Sequence, residues 1–218
     1  VAAADMPELE RWVLHRLAEL DEILRRAVDD YDFHTIATEL HNFCAVDLSA
    51  FYFDIRKDAI YCDAAASPRR RAARTVMAEV FSFLTVWLAP ITCFTAEEAW
   101  LARPADMPDG GADSVHLRVY PAIPAAWLDA ALGAKWKTVR ALRRVVTGAL
   151  ELERAEKRIG SSLQAAPLVH AAPEYLAAVR DLDLSEICIT SGGELVAGTA
   201  PVGAFTLPDV AGVAVVPR

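Results

Sequence analysis

Asp47-Leu-Ser-Ala-Phe-Tyr-Phe-Asp-Ile-Arg-Lys-Asp-Ala-Ile-Tyr61 is the stretch on which the fold turns. With the residues before it, it predicts a helical run from 32 to about 59, carrying Phe33, Ile36, Leu40, Phe43, Val46, Leu48, Phe51, Tyr52, Phe53 and Ile55. At first the apolar side chains recur every three or four positions, the spacing of a helix with one buried face. From Leu48 onward they occupy more than one side. That predicts a segment enclosed by neighbours or bent around 47–49. Asp32 has the chemistry of an N-cap, a short carboxylate that can accept from the orphan amides of the first turn.

Working outward, residues 8–29 repeat the pattern through Leu9, Trp12, Val13, Leu17, Leu20, Ile23, Leu24 and Val28. On the other side Ser67-Pro68 announces a third helix, a serine cap followed by the one helical position where proline is harmless. Its stripe runs through Ala72, Val76, Val80, Phe83, Leu84 and Trp87 to a stop at Pro90. Thr95 and Glu98 have capping-box spacing and predict a short helix through Trp100 and Leu101. Residues 103–113 are rich in Pro, Gly and Asp and read as a loop, and 114–121 alternate as an extended segment. A long helical pattern runs from about 125 to 159, with Gly160 placed for a left-handed end cap.

Beyond Gly160 the composition changes. Strands are predicted at 168–170 and 186–190, with a short helix at 173–182, a turn at 191–193 and a final apolar run over 210–216 that completes a small α/β unit. The sequence therefore predicts a mainly α fold: an antiparallel helix bundle over residues 1–163, then a small α/β piece over 164–218.

The bulk composition narrows the function classes. The chain has 218 residues, is 54% hydrophobic and 24% charged, and carries a formal net charge of −8. There is material for a core, and an average field that repels polyanions. The sequence opens on Val1, not Met, as in a processed chain or one cut from a longer protein. No apolar run reaches the roughly 18–20 residues of a membrane span, and no signal peptide is recognisable, so a soluble cytoplasmic protein is expected. Cys44, Cys62, Cys93 and Cys188 form no C-x-x-C pair, so reduced, metal-free cysteines are expected. His34 and His41 share a helical face seven residues apart, but metal pairs on helices favour a spacing of four. Asp47, Asp54 and Asp58 are accounted for by ion pairing and capping amid Arg56 and Lys57. No P-loop, dinucleotide fingerprint, serine elbow or H-E-x-x-H is present, so no catalytic site is expected.

The local charge departs from the average. Between 135 and 158, eight cations (Lys135, Lys137, Arg140, Arg143, Arg144, Arg154, Lys157 and Arg158) face only Glu151, Glu153 and Glu156. Arg140, Arg143 and Arg144 share one helical face, and Arg154, Lys157 and Arg158 another. A surface of that kind can meet phosphates; a solvated helix face explains it equally, as does the helix dipole near the C-terminal end. A second cluster, Arg69, Arg70, Arg71 and Arg74, sits at the start of a helix, where the dipole opposes cations, and hints at a partner.

The segment 47–61 resembles the signature that isoleucyl-tRNA synthetases carry just after their catalytic core, roughly D-L-S-x-F-Y-hydrophobic-D-x-x-K-D-x-x-Y. Glu10-Arg-Trp-Val-Leu14, Tyr31-Asp-Phe-His34, Phe94-Thr-Ala-Glu-Glu-Ala-Trp100, Ser114-Val-His-Leu117 and Lys157-Arg-Ile-Gly-Ser-Ser-Leu163 keep the family's order. The likeness covers about 8–163 and fades beyond. It implies an anticodon-binding helical domain and the start of a C-terminal junction region. A valyl enzyme and a protein-binding helical scaffold are the rivals; a valyl enzyme more typically ends in a coiled-coil arm.

The resemblance implies tRNA-Ile and the rest of the synthetase chain as partners, and no membrane. It implies no catalytic residues here, because the H-I-G-H and K-M-S-K-S motifs are absent. ATP with magnesium, and any zinc of a C-terminal four-cysteine module, would belong to the parent, leaving no cofactor in this chain. It makes Arg140, Arg143, Arg144, Lys157 and Arg158 the expected RNA-phosphate partners, with Arg56 and Lys57 as further ones.

Overall fold

The computed structural model describes residues 1–104 and 112–218. Most of the loop expected over 103–113 lies outside the described residues. The chain divides into two compact units, Val1–Asp129 and Ala130–Arg218. The boundary expected between 163 and 164 falls inside the second unit, because the long helix before it supplies the surface on which the sheet packs.

The first unit is helical: α1 (Glu8–Asp29), α2 (Phe33–Asn42), a π-helical stretch (Phe43–Phe53), α3 (Asp54–Tyr61), α4 (Pro68–Leu88) and α5 (Cys93–Leu101). Asp32 caps α2 as expected, accepting from the Thr35 amide at 3.0 Å. Ser67 caps α4, with Pro68 at its first position. From α2 to α3 the backbone is one helical run, and the widened π-turns coincide with the segment that is apolar on several sides. The wider winding changes which side chains share a face, so Phe43, Asp47, Leu48, Phe51 and Tyr52 all turn inward. Single π-bulges are the usual form of this winding, often at functional positions; eleven residues of it is unusual.

That inward face meets α1 in antiparallel register. Glu10, fully buried, accepts from Arg56 at both carboxylate oxygens, at 2.6 and 2.8 Å, and from the Tyr52 hydroxyl at 3.2 Å. Burial, reinforced by the Glu10 charge, pushes the Tyr52 phenol far above its ordinary pKa. One turn on, Trp12 meets Phe51 edge to face with centroids 5.3 Å apart. Further along, Arg16 donates to Asp47 at 3.1 Å and to Glu19. Burial works against the charge on Arg16, but Asp47 and Glu19 outweigh it and raise its pKa.

α5 does not begin on the expected capping box. It starts at Cys93 after Thr92, and Thr95 lies inside its first turn. Glu97 instead reaches across to the next segment, accepting from the Val115 amide at 2.8 Å and the Ser114 hydroxyl at 3.0 Å. That bond pulls 115–117 into a 3-10 turn in place of the expected extended segment. Trp100, fully buried, donates its indole N–H to the Ala112 carbonyl, with the guanidiniums of Arg103 and Arg118 against its ring.

The second unit packs α6 (Ala130–Ala155), α7 (Pro173–Val179) and α8 (Leu184–Cys188) with a four-stranded sheet of β1 (Leu168–Ala171), β2 (Glu194–Ala197), β3 (Phe205–Leu207) and β4 (Val210–Val216). The strand order is β2-β1-β4-β3, parallel between β1 and β2 and antiparallel elsewhere. The strand expected at 186–190 is helix α8 instead. Asp183 accepts from the Ser185 and Glu186 amides to start it, and Ile189 ends it in a left-handed conformation. Cys188 is sealed beneath, its thiol pushed up to about 12 by burial.

Two glycines permit the contacts that close this unit. A Cβ at Gly148 of α6 would lie 3.0 Å from the Phe205 ring, so its absence lets β3 approach the helix. Gly212 in β4 has φ +80°, and a Cβ there would stand 2.9 Å from that of Ala172. No helix among the described residues is long and apolar enough to cross a membrane.

These contacts set the expected response to substitution. Glu10→Ala leaves Arg56 charged and buried without its partner, and is expected to cost roughly 3–5 kcal/mol in urea unfolding. Glu10→Leu combined with Arg56→Met is expected to cost less than Glu10→Ala alone; an equal or larger cost would argue against a dominant ionic contact. Gly212→Ala should destabilise the second unit by about 1–2 kcal/mol from left-handed strain before the clash is counted, read as a lowered melting temperature.

Candidate nucleic-acid interface

α6 sets the geometry of the expected RNA-binding face. Leu132, Trp136, Val139, Leu142, Val145, Val146, Ala149 and Leu150 form its buried side. At 100° per residue, Lys137, Arg140, Arg144 and Glu151 fall on the opposite side. Lys137 and Arg144 are exposed and Arg140 is half-buried. Lys137 belongs to the basic segment but not to the expected contacts. Its spacing of three from Arg140 and seven from Arg144 is the signal that places it on their face.

Arg143 does not share that face. It is half-buried, and its Nε donates to the Ile187 carbonyl at 2.8 Å, bracing α8 against α6. The grouping of Arg143 with Arg140 and Arg144 is thereby corrected: adjacency to Arg144 turns it about 100° around the helix, toward the sheet side. Arg144 pairs with Asp209, in the two-residue turn between β3 and β4. Both side chains of that pair are more than half exposed.

The C-terminal end of α6 is closed by main-chain bonds. Arg158 N–H reaches the Glu153 carbonyl at 2.9 Å, and Lys157 N–H the Arg154 carbonyl at 3.0 Å. This is the Schellman arrangement, in which the residue between takes a left-handed conformation. Here that residue is Lys157, with φ 58°, and not Gly160 as expected. Arg158 binds Glu153 and Glu156, and its hydrogen bonds to Glu153 hold that carboxylate below its ordinary pKa. Arg154 pairs with Glu151 at 2.6 Å. Lys157 is exposed with no carboxylate within ion-pair distance among the described residues.

Arg56 and Lys57 fare differently. Arg56 is only 3% exposed and both arms of its contact with Glu10 are made inside the core, so it is corrected from an RNA contact to a structural one. The π-helical winding carries it inward, which the 3.6-residue period does not anticipate. Lys57 remains 65% exposed and pairs with Asp54 at 2.6 Å. Among the described residues no three His, Cys, Asp or Glu side chains gather in a group able to hold a metal ion.

The protein-family model described as the anticodon-binding domain of tRNA ligase matches residues 10–169. The chain belongs to that family. Its curated relatives include the isoleucine–tRNA ligase of Brucella abortus, 58% identical over the whole chain. Those of Agrobacterium fabrum and Mesorhizobium japonicum are 54% and 55% identical over 99% and 97% of it. The chain spans only 21–22% of the length of these relatives. The family match therefore reaches through the helical unit and α6 to the first strand of the sheet.

In this anticodon-binding domain Lys157 occupies a backbone conformation that glycine would adopt at less cost. Lys157→Gly is expected to stabilise the fold by up to about 1–2 kcal/mol, seen as a higher melting temperature, while removing one cation from the basic segment. A lower melting temperature would show that the lysine side chain supports the end of α6.

Proposed function

We propose that the chain is the tRNA-holding portion of an isoleucine–tRNA ligase, gripping the anticodon stem and loop of tRNA-Ile. Residues 1–163 act as the anticodon-binding portion proper and 164–218 as a junction toward the C-terminal part of the enzyme. The parent enzyme, in the cytoplasm, joins isoleucine to this tRNA using ATP and magnesium, and its catalytic core lies elsewhere in the parent chain. The observation that carries this reading is the 58% identity to an isoleucine–tRNA ligase over the full length of the chain. The family assignment and the outward cations of α6 support it from two further directions.

Lys137, Arg140 and Arg144 form the contact surface, with Lys157 and Arg158 at the end of the helix. The ion pairs that Arg144 and Arg158 make do not preclude this. Exposed pairs contribute only about 0–1 kcal/mol, so a phosphate can replace a carboxylate at little cost, and guanidinium forks suit both. Against a net charge of −8, such a face works because screening confines each charge to within about 8–10 Å at physiological salt.

Titration of the chain with tRNA-Ile and with an unrelated tRNA, at two salt concentrations, tests the reading. Binding should weaken with salt, and R140E/R144E should lower the log–log slope by about two units, near one for each phosphate no longer neutralised. An unchanged slope would remove α6 from the interface; equal affinity for both tRNAs would leave RNA binding without selectivity for tRNA-Ile.

A further inference from the structure

Several cations of α6 pair with neighbouring groups, whereas two members of a second cluster do not. At the corner between α3 and α4 stand Arg69, Arg70, Arg71 and Arg74. Arg69 clasps Asp63 through two bonds of 2.9 and 2.6 Å and holds that carboxylate below its ordinary pKa. Arg70 donates to the Asp63 main-chain carbonyl at 2.6 Å. Asp63, the carboxylate of this corner, is thus already occupied. Arg71 and Arg74 are exposed, and no ion-pair or hydrogen-bond partner reaches their guanidiniums among the described residues.

Their own helix cannot neutralise them. The helical neighbours of Arg71 are Ser67, Pro68, Arg74 and Thr75, and those of Arg74 are Arg70, Arg71, Met77 and Ala78. Like charges three and four apart repel, and the first turn of a helix, which here holds Arg69, Arg70 and Arg71, disfavours cations. Four arginines in six positions at this end therefore work against the isolated helix, with no internal interaction that offsets Arg71 and Arg74. The exposed ring of Tyr61, 81% accessible, ends α3 at the same corner.

We propose that Arg71 and Arg74 form a second contact for the RNA sugar-phosphate backbone, separate from the α6 face and independent of base sequence. Two exposed guanidiniums with no internal carboxylate match the phosphates of an RNA backbone, which guanidinium forks bind in bidentate fashion. An acidic protein surface is the other occupant with matching charge; the anticodon-binding family to which the chain belongs favours RNA. The inference rests on the tRNA-binding reading and extends it to a surface on the helical unit.

The test is the variant R71E/R74E in the 218-residue chain, titrated beside the unaltered chain and R140E/R144E with tRNA-Ile and an unrelated tRNA. The acid of R71E would lie in the first turn, where it is favoured, and that of R74E would face Arg70 at i,i+4. An unchanged melting temperature is therefore expected, and it is measured beside the binding to separate lost contact from misfolding. The expected outcome is at least tenfold weaker binding of both tRNAs at low salt, with the salt slope reduced by about two units. Unchanged binding by R71E/R74E, while the unaltered chain binds and R140E/R144E does not, would overturn this inference and leave the α6 face standing. Weakening confined to one tRNA would overturn the backbone assignment. Failure of the unaltered chain to bind either tRNA would overturn both readings.

Discussion

The buried contact between Glu10 and Arg56 is the constraint on which the helical unit depends. A carboxylate with no solvent exposure and a guanidinium with almost none must meet, because either left alone in the interior would carry a prohibitive desolvation cost. Their bidentate geometry fixes the register of α1 against the run that ends in α3. Once that register is set, Trp12 falls against Phe51 and Arg16 against Asp47. The gain lies in specificity more than in net stability, since well-packed apolar side chains could fill the same space at similar free energy. The segment most telling of the family is thus, at Asp47, Tyr52 and Arg56, a clasp for α1.

The cationic residues divide by what surrounds them. Arg56, Arg69, Arg103, Arg118 and Arg143 hold structure together through carboxylates, carbonyls and rings. Lys137, Arg140, Arg144 and Lys157 face outward from α6 or its end, and Arg71 and Arg74 from α4. The proposed RNA contacts draw on this second group and on Arg158. A charge count along the chain merges the two groups; partner geometry separates them.

Much of the architecture is legible in the residues. The helix of 8–29, the Asp32 and Ser67 caps, the strand at 168 and the helix at 173 obey local rules of periodicity and capping, and the apolar run at 210 becomes β4. Where those rules fail, a tertiary contact prevails. Glu97 bonded to Val115 and Ser114 displaces the expected capping box and turns an extended segment into a 3-10 turn. Asp183 makes a helix of a β-branched run, and Lys157 takes the left-handed position expected of Gly160. The edge strands β2 and β3 escape a reading by pattern because they are short and mostly exposed, and so carry little hydrophobic periodicity.

By itself the sequence determined the helical class, the kinship with tRNA ligases and the concentration of positive charge in two short segments. All three are properties of residue type and local order, so they survive without coordinates. Only the tertiary structure decided which cations remain available. That depends on the phase of each residue around its helix and on carboxylates distant along the chain. Arg56 is carried inward by the π-helical winding and meets Glu10, 46 positions earlier. Arg144 meets Asp209, 65 positions later. Among the described residues no carboxylate reaches Arg71 or Arg74, and Asp63 at the same corner is held by Arg69.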